Sequence, residues 1–546
     1  VNTKLAFPKI EKGQQYKTGL FTLIFLLFLL LRLFSSTPYF FIQAGDDARF
    51  LALAQSFPNH LLYNHQFYLV HPPIFPWVIA LFSFFAEDYI AGILVSLLSA
   101  SVSFFLIYII FSKVTSNDFV AFTVLLFYSL SPAFINLSTT ISKESFSLMI
   151  FLLCIYYYIS FIENRNRNFG IASAGFGFLS AFTTDHTLLL LPALTATAFF
   201  LSKTRIRIKH FLPIIAIAFF YLSWIGVRAY IYTYNEFYPA AFDGTPVFMQ
   251  GWGIRELLSP QYFVEEYVPF GTSYDVSHYL YPLFYMTNII FAPWPPGLNF
   301  HNFLILFSGK YLFQAFFYPI VLGLGMAGFT YLLRVRNWGE KRNPLLWMIS
   351  LFAIYFVPAS QVTTSTRYII TANLFFYAAI GIGLVQLFEF LKLKRKLRLV
   401  YSLMVLLSFV LLIPHLAEYH HFIFHQKKIV ELEKTATFVN SLPKDGFMIQ
   451  YGYPDELIYL TGKRVVSLPE KIEDFEFVDL LNINYVMYGE YYSQPYEAGQ
   501  YTMFSYWVID YIRKHPLQFK LIKVIEETYP TKERSDHIYI YEVTKT

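Results

Sequence analysis

Charge and cysteine are what this chain has least of. Asp, Glu, Lys and Arg make up 14% of its 546 residues, whereas a soluble domain carries about 25%. Apolar residues account for 56% and aromatic ones for 21%, so the composition is that of a membrane protein. The single cysteine, Cys154, lies inside an apolar run. With no second thiol, an intramolecular disulfide and a cysteine-based metal site are both excluded, and the redox compartment is unreadable. Internal repeats and low-complexity tracts are not evident either, and a nucleic-acid partner is not expected.

What is there in abundance is long apolar runs. Crossing about 30 Å of hydrocarbon takes roughly 20 such residues. Eleven spans are predicted, near residues 19–40, 88–112, 119–138, 145–162, 169–183, 187–202, 210–228, 313–333, 345–360, 368–391 and 399–415. The first, with its core at Leu20 to Leu33, resembles a signal-peptide core, but no small-residue cleavage site follows it, so it reads as a retained anchor. Residues 71–85 are Pro-rich at the start and too short to span; they predict a helix lying at or dipping into the outer surface. The stretch 279–307, with Ala292-Pro293-Trp294-Pro295-Pro296-Gly297, is similar.

The cations set the orientation. Residues 1–416 hold 27 Lys and Arg against 17 Asp and Glu, and residues 417–546 hold 14 against 19. Twenty of those 27 fall in the N-terminal tail and in every second loop, at Lys113, Arg165, Arg167, Lys203 to Lys209, Arg334 to Arg342 and Lys392 to Arg398. The other face carries seven: Arg32, Arg49, Lys143, Arg228, Arg255, Lys310 and Arg367. By the positive-inside rule the N-terminus is cytoplasmic, and an odd number of spans places the C-terminal part outside.

Composition changes near Glu418. A helix-like stretch, Lys427 to Leu442, precedes strand-like runs at 447–450, 465–468, 485–488 and 538–543, separated by turn signals such as Pro443-Lys444-Asp445-Gly446. The expected fold is therefore a polytopic α-helical membrane protein in two parts. Residues 1–416 form the transmembrane catalytic domain, and residues 417–546 form an extracytoplasmic soluble α/β domain.

Ionisable groups at the edge of an apolar span are functional-site candidates, and Gly45-Asp46-Asp47-Ala48-Arg49 lies just past the outer end of the first one. Neighbouring residues on a helix point about 100° apart, so Asp46 and Asp47 cannot serve one ligand equally. Asp46 would also serve as N-cap to a helix over Ala48 to Ser56. Glu144, in Thr139-Thr140-Ile141-Ser142-Lys143-Glu144, follows two further spans. Two crossings return the chain to the same face, so Asp46 and Glu144 can converge; alternatively, Glu144 merely starts the fourth span. Asp185-His186, in a short outer loop, is a further possible element.

The ordered set Asp46-Asp47-Ala48-Arg49-Phe50, His71-Pro72-Pro73-Ile74-Phe75-Pro76-Trp77 and a second acid after two spans resembles the GT-C membrane glycosyltransferases. Within them it is most similar to the dolichyl-phosphate-mannose protein mannosyltransferases and the bacterial aminoarabinose transferases of lipid A. Arg367-Tyr368-Ile369-Ile370, Tyr459-Leu460-Thr461-Gly462-Lys463 and Asn484-Tyr485-Val486 extend the likeness. Three departures stand out: Asp47 where the family usually has Glu, Glu144 where Asp is commoner, and no proline after Arg367-Tyr368.

The resemblance implies transfer of a sugar from a polyprenyl-phosphate donor to an acceptor outside, a protein, lipid or glycan, usually with inversion. It makes Asp46 the general base, with Asp47 and Glu144 as further carboxylates of the catalytic site, Glu144 as a ligand or positioning group. Arg49, His71, Lys143 and Arg367 become the partners of the donor phosphate. A divalent metal, Mg²⁺ or Mn²⁺, would suit Asp46 and Glu144. The expected location is the cytoplasmic membrane of a prokaryote, among membrane lipid. The rival is a transporter or flippase of lipid-linked glycans, which would show paired repeats and midplane charges. Topology has a direct test. In a Cys154-free background, single cysteines in the loop that holds Ser142 and at Arg165 are expected to react with an impermeant maleimide from opposite sides; same-side labelling would overturn the span assignment.

Overall fold

The computed structural model describes residues 14–36, 46–56, 62–63, 66–67, 73–184, 187–202, 207–234, 323–325, 327–328, 330, 344–362, 370–390, 432–449, 454–467, 483–489, 506–529 and 534–544. The helices come in chain order: α1 (Gln14–Ser36), α2 (Asp46–Gln55), α3 (Ile74–Phe82), α4 (Asp88–Thr115), α5 (Asp118–Leu130), α6 (Pro132–Thr139), α7 (Lys143–Asn164), α8 (Arg167–Ala181), α9 (Thr187–Leu201), α10 (Leu212–Tyr234), α11 (Pro344–Val362), α12 (Ile370–Phe390), α13 (Glu433–Ser441), α14 (Pro454–Thr461) and α15 (Tyr506–Lys514). A two-stranded hairpin pairs β1 (Leu62–Tyr63) with β2 (Gln66–Phe67). Five further strands follow: β3 (Phe447–Ile449), β4 (Val465–Ser467), β5 (Tyr485–Gly489), β6 (Phe519–Tyr529) and β7 (Arg534–Val543).

The chain divides into two compact units, one of residues 1–36, 96–224 and 252–420, the other of 37–95, 225–251 and 421–546. The first is a helix bundle. Lys17 pairs with Asp118 at 2.5 Å and Lys113 with Glu163 at 2.8 Å, which gathers the start of α1, the end of α4, the start of α5 and the end of α7 at one end of it. Trp347 on α11 is fully buried and donates its indole N–H to Thr197 Oγ1 on α9 at 2.8 Å, as a buried indole requires. Among the described residues three helices are long and apolar enough to cross a membrane, Asp88–Thr115, Lys143–Asn164 and Ile208–Val227. The protein is an integral membrane protein, and the eleven-span count stays an expectation.

One sequence expectation needs correction here. The span over 119–138 is broken: α5 ends at Leu130, Ser131 is extended (φ −63°, ψ 121°), and α6 starts at Pro132. Proline disfavours the helical region for the residue before it and has no N–H to bond the carbonyl four residues back, here that of Tyr128. Arg32, counted among the seven cations of the outer face, is 1% exposed inside the bundle. The expected span at 399–415 and the stretch at 279–307 lie outside the described residues, and the span at 313–333 is described only in part.

Small residues allow α12 its closest approaches. A Cβ on Gly381 would press on Val120 and Thr123 of α5, one on Gly383 would strike the backbone of Leu324, and one on Gly328 the carbonyl of Ala379. Small residues on both sides of a crossing let helices pack backbone to backbone in a membrane.

In the second unit the sheet order is β4-β3-β5-β7-β6, with β3 parallel to β4 and β5, and β7 antiparallel to β5 and β6. The strands expected at 447–450, 465–468, 485–488 and 538–543 correspond to β3, β4, β5 and β7, with residues 450 and 468 outside the described residues. The eleven-residue β6 adds to the expected set; Phe519 to Tyr529 is rich in the β-branched and aromatic residues that favour a strand. Met448, Val486, Tyr488, Ile512, Phe519 and Val543 form the core between the sheet and α15. On the other flank Thr435 of α13 donates through N and Oγ1 to the buried Glu527 carboxylate of β6, at 2.7 and 2.9 Å. Burial pushes that carboxyl up from its ordinary range.

The α12 crossing yields a test. Gly383→Val is expected to cost about 1–3 kcal/mol by overpacking, read as a lower thermal midpoint of the detergent-solubilised protein, and an unchanged midpoint would contradict the close approach.

Candidate functional site

Asp46 is the first residue of α2, and Asp47 and Arg49 lie in the same first turn, both half-buried. Carboxylates suit that place because the first backbone N–H groups of a helix are unpaired and its dipole is positive there. The helix starts two residues earlier than the expected Ala48, so Asp46 is its first residue rather than a cap outside it. Most of α2 is buried: Ala48, Phe50, Leu51, Ala52, Leu53 and Ala54 are each 8% exposed or less.

Three contacts seat α2 within its unit. Phe50 meets Phe75 of α3 edge to face, centroids 5.1 Å apart at 88°, with both rings almost wholly buried. This geometry suits the ring quadrupoles. It also joins the two sequence blocks, Asp46–Phe50 and His71–Trp77, by a direct contact. The last residue of α2, Gln55, donates from Nε2 to Asp88 Oδ2 at 2.9 Å. Helix α14 of the C-terminal segment packs on α2 as well. Its Tyr459 phenol is pushed up to about 12, first by burial and then by the charges of Asp88, Tyr89 and Glu87, so it stays a neutral hydroxyl at physiological pH. The stretch Tyr459 to Lys463, singled out in sequence, thus borders the helix that carries the acids.

Lys143 and Glu144 belong to the other unit, at the start of α7, and both are half-buried. Ser142 is the N-cap, yet its hydroxyl makes no cap bond; it donates to Glu144 Oε2 at 2.9 Å. The Ser142 backbone is fixed by Ser96, whose Oγ accepts from Ser142 N at 3.1 Å and donates to Ser142 O at 3.5 Å. Ser145 Oγ donates to Leu137 O at 2.8 Å, tying α7 back to α6. His71, Arg367 and Asp185-His186 lie outside the described residues.

Sequence reasoning misses several of these groups. Ser96 and Ser145 fix the turn before Glu144, but a serine inside an apolar span gives no local signal of that. Asn373 on α12 is completely buried, and neither its Oδ1 nor its Nδ2 reaches a hydrogen-bond partner. A lone Asn in the run 368–391 is visible, but an isolated amide in a span is as consistent with packing as with a site. Among the described residues no three His, Cys, Asp or Glu side chains gather as a metal site would require.

Residues 70–227 match the family model "Dolichyl-phosphate-mannose-protein mannosyltransferase". No curated protein matches the chain in sequence. The fold is similar to that of ArnT from Cupriavidus metallidurans bound to undecaprenyl phosphate, at 10% identity and a TM-score of 0.53, covering 96% of this chain and 98% of that one. The same protein in the apo state gives 12% identity and a TM-score of 0.52 over the same shares.

The seat of α2 can be measured. Phe50→Ala is expected to lower stability by about 3–5 kcal/mol, and a double-mutant cycle with Phe75→Ala should return a coupling of about 0.5–1.5 kcal/mol; strict additivity in thermal unfolding would deny the contact. Over residues 70–227 the chain is similar to the mannosyltransferase family model, and over nearly its whole length its fold is similar to that of ArnT.

Proposed function

We propose that this protein transfers a sugar from a polyprenyl-phosphate donor to the hydroxyl or similar nucleophile of an acceptor outside the membrane, with inversion at the anomeric carbon. The observation that carries the reading is the packing of α2 on α3: the acid-headed helix is clamped, through Phe50 and Phe75, to the segment where the mannosyltransferase match begins. The ArnT structure with undecaprenyl phosphate supports the lipid class of the donor.

The chemistry follows from the leaving group. A polyprenyl phosphate departs as a stable anion, taking the electron pair of the bond between the anomeric carbon and oxygen, so no general acid is obligatory. The incoming nucleophile must lose its proton as its bond to that carbon forms, and Asp46 is the base for it. Asp47 and Glu144 are the accompanying acids, and Ser142 holds one Glu144 oxygen in place. Arg49, His71, Lys143 and Arg367 are the groups assigned to the phosphate, whose developing charge needs cations and hydrogen-bond donors. Carboxylates such as Asp46 and Glu144 would suit Mg²⁺ or Mn²⁺, and no step is routed through a metal. The acceptor side is the exterior of a prokaryotic cytoplasmic membrane, with the acceptor a protein, lipid or glycan.

The decisive variant is Asp46→Asn, which keeps the size and one acceptor oxygen but removes the base. Turnover of polyprenyl-phosphate sugar by the purified variant is expected to fall by about 10²- to 10⁴-fold with insertion and thermal midpoint unchanged, and wild-type turnover would refute the assignment.

A further inference from the structure

Arg32 is the one fully buried Arg or Lys among the described residues, and the catalytic reading above gives it nothing to do. Its guanidinium lies 3.8 Å above the Phe28 ring and 5.3 Å from that of Tyr128. Nη2 donates to Tyr128 O at 3.2 Å, and Nη1 donates to Ser129 O at 3.2 Å and to Phe28 O at 3.4 Å. The Tyr128 carbonyl is the one that Pro132 leaves without its helical donor. The negative end of the α5 dipole falls at the same place, so the charge meets both needs at once.

We propose that Arg32 is a positioning residue for Glu144 and Lys143, acting through the α5–α6 break. This inference rests on the catalytic reading of Glu144. The segment from Ser129 to Ser142 is held at both ends. Pro132 sets where α5 stops, and Arg32, holding the carbonyls of Tyr128 and Ser129, sets the direction in which α6 leaves. Ser96 fixes the Ser142 backbone at the far end, and Ser145 locks α6 to α7 in between. Ser138 and Thr139 bond the carbonyls of Phe134 and Ile135 within α6, which keeps that short helix a rigid lever. A guanidinium suits the task because its planar fork fixes two carbonyls in direction as well as distance, and the Ser129 hydroxyl is already spent on Leu125 O. A shift of α6 reaches Glu144 directly, and misplacement of a reacting group by about 1 Å can cost about 10²-fold in rate.

The test uses the full-length protein carrying Arg32→Met, which keeps the volume and removes the donors, and Arg32→Lys. In the transfer assay Arg32→Met is expected to lower kcat about tenfold or more with KM for the donor within about twofold, the pattern of a lost transition-state arrangement. Arg32→Lys recovers part of the loss, and adding Glu144→Gln to Arg32→Met causes no further fall. Independent multiplication of the two losses, or unchanged kcat, would overturn the proposal. A second readout needs no activity. With Cys154 replaced by Ala, the maleimide reaction rate of Glu144→Cys should change several-fold when Arg32→Met is added, while that of Arg167→Cys, on an exposed helix start, stays constant. Equal rates at position 144 would sink the idea even if the thermal midpoint falls, since a lower midpoint alone marks only a structural role. Should Asp46→Asn and Glu144→Gln both keep full turnover, the catalytic reading fails, and the labelling comparison still decides whether Arg32 sets the loop.

Discussion

A helix that stops in apolar surroundings leaves carbonyls with nothing to accept from, and water is not there to help. Pro132 imposes such a stop between α5 and α6, and the guanidinium of Arg32 receives the stranded carbonyls of Tyr128 and Ser129. Much of the first unit follows from that arrangement. Phe28 and Tyr128 stack with centroids 5.9 Å apart around the cation, and the Tyr128 hydroxyl goes on to Ala100 O at 3.1 Å, which draws α4 into the same knot. The short α6 can then turn the chain back toward α7 and deliver Lys143 and Glu144 at a helix start.

The other set of acids is presented by a different device. Helix α2 is only ten residues long, too short to be stable on its own in water, and it persists because it is buried on nearly all sides. Phe75, Asp88 and α14 each hold part of it. The C-terminal segment is therefore part of the seat of Asp46, Asp47 and Arg49, through α14, as well as the bearer of a five-stranded sheet.

The legible part of this molecule is its periodicity and its loop chemistry. Long apolar runs announce α1, α4, α7 and α9 to within a few residues, apart from the start of α1, because burial on a 1.5 Å rise leaves little freedom in length. The blocks around Asp46 and His71 are recognisable as residue types in order, and their contact through Phe50 and Phe75 is the physical reason that order matters. Arg32 reads in sequence only as one of seven cations assigned to the outer face; the distant carbonyls at the α5–α6 break show what it binds. The break itself is written in Ser131-Pro132, but the hydropathy on either side of it masks the signal. Ser96 and Ser142 are 46 residues apart, and no local pattern reports a pairing at that separation.

The sheet of the second unit ends in two unlike margins. Strand β4 is three residues long, too short to recruit another chain, whereas β6 runs for eleven. The ladder of β6 with β7 is interrupted between Leu521 and Lys523, and Lys520 and Lys523 stand exposed along it. Irregularity and lysine are what keep an open strand from templating its own kind. Where many copies share one membrane surface, a margin so built disfavours strand-to-strand association between them.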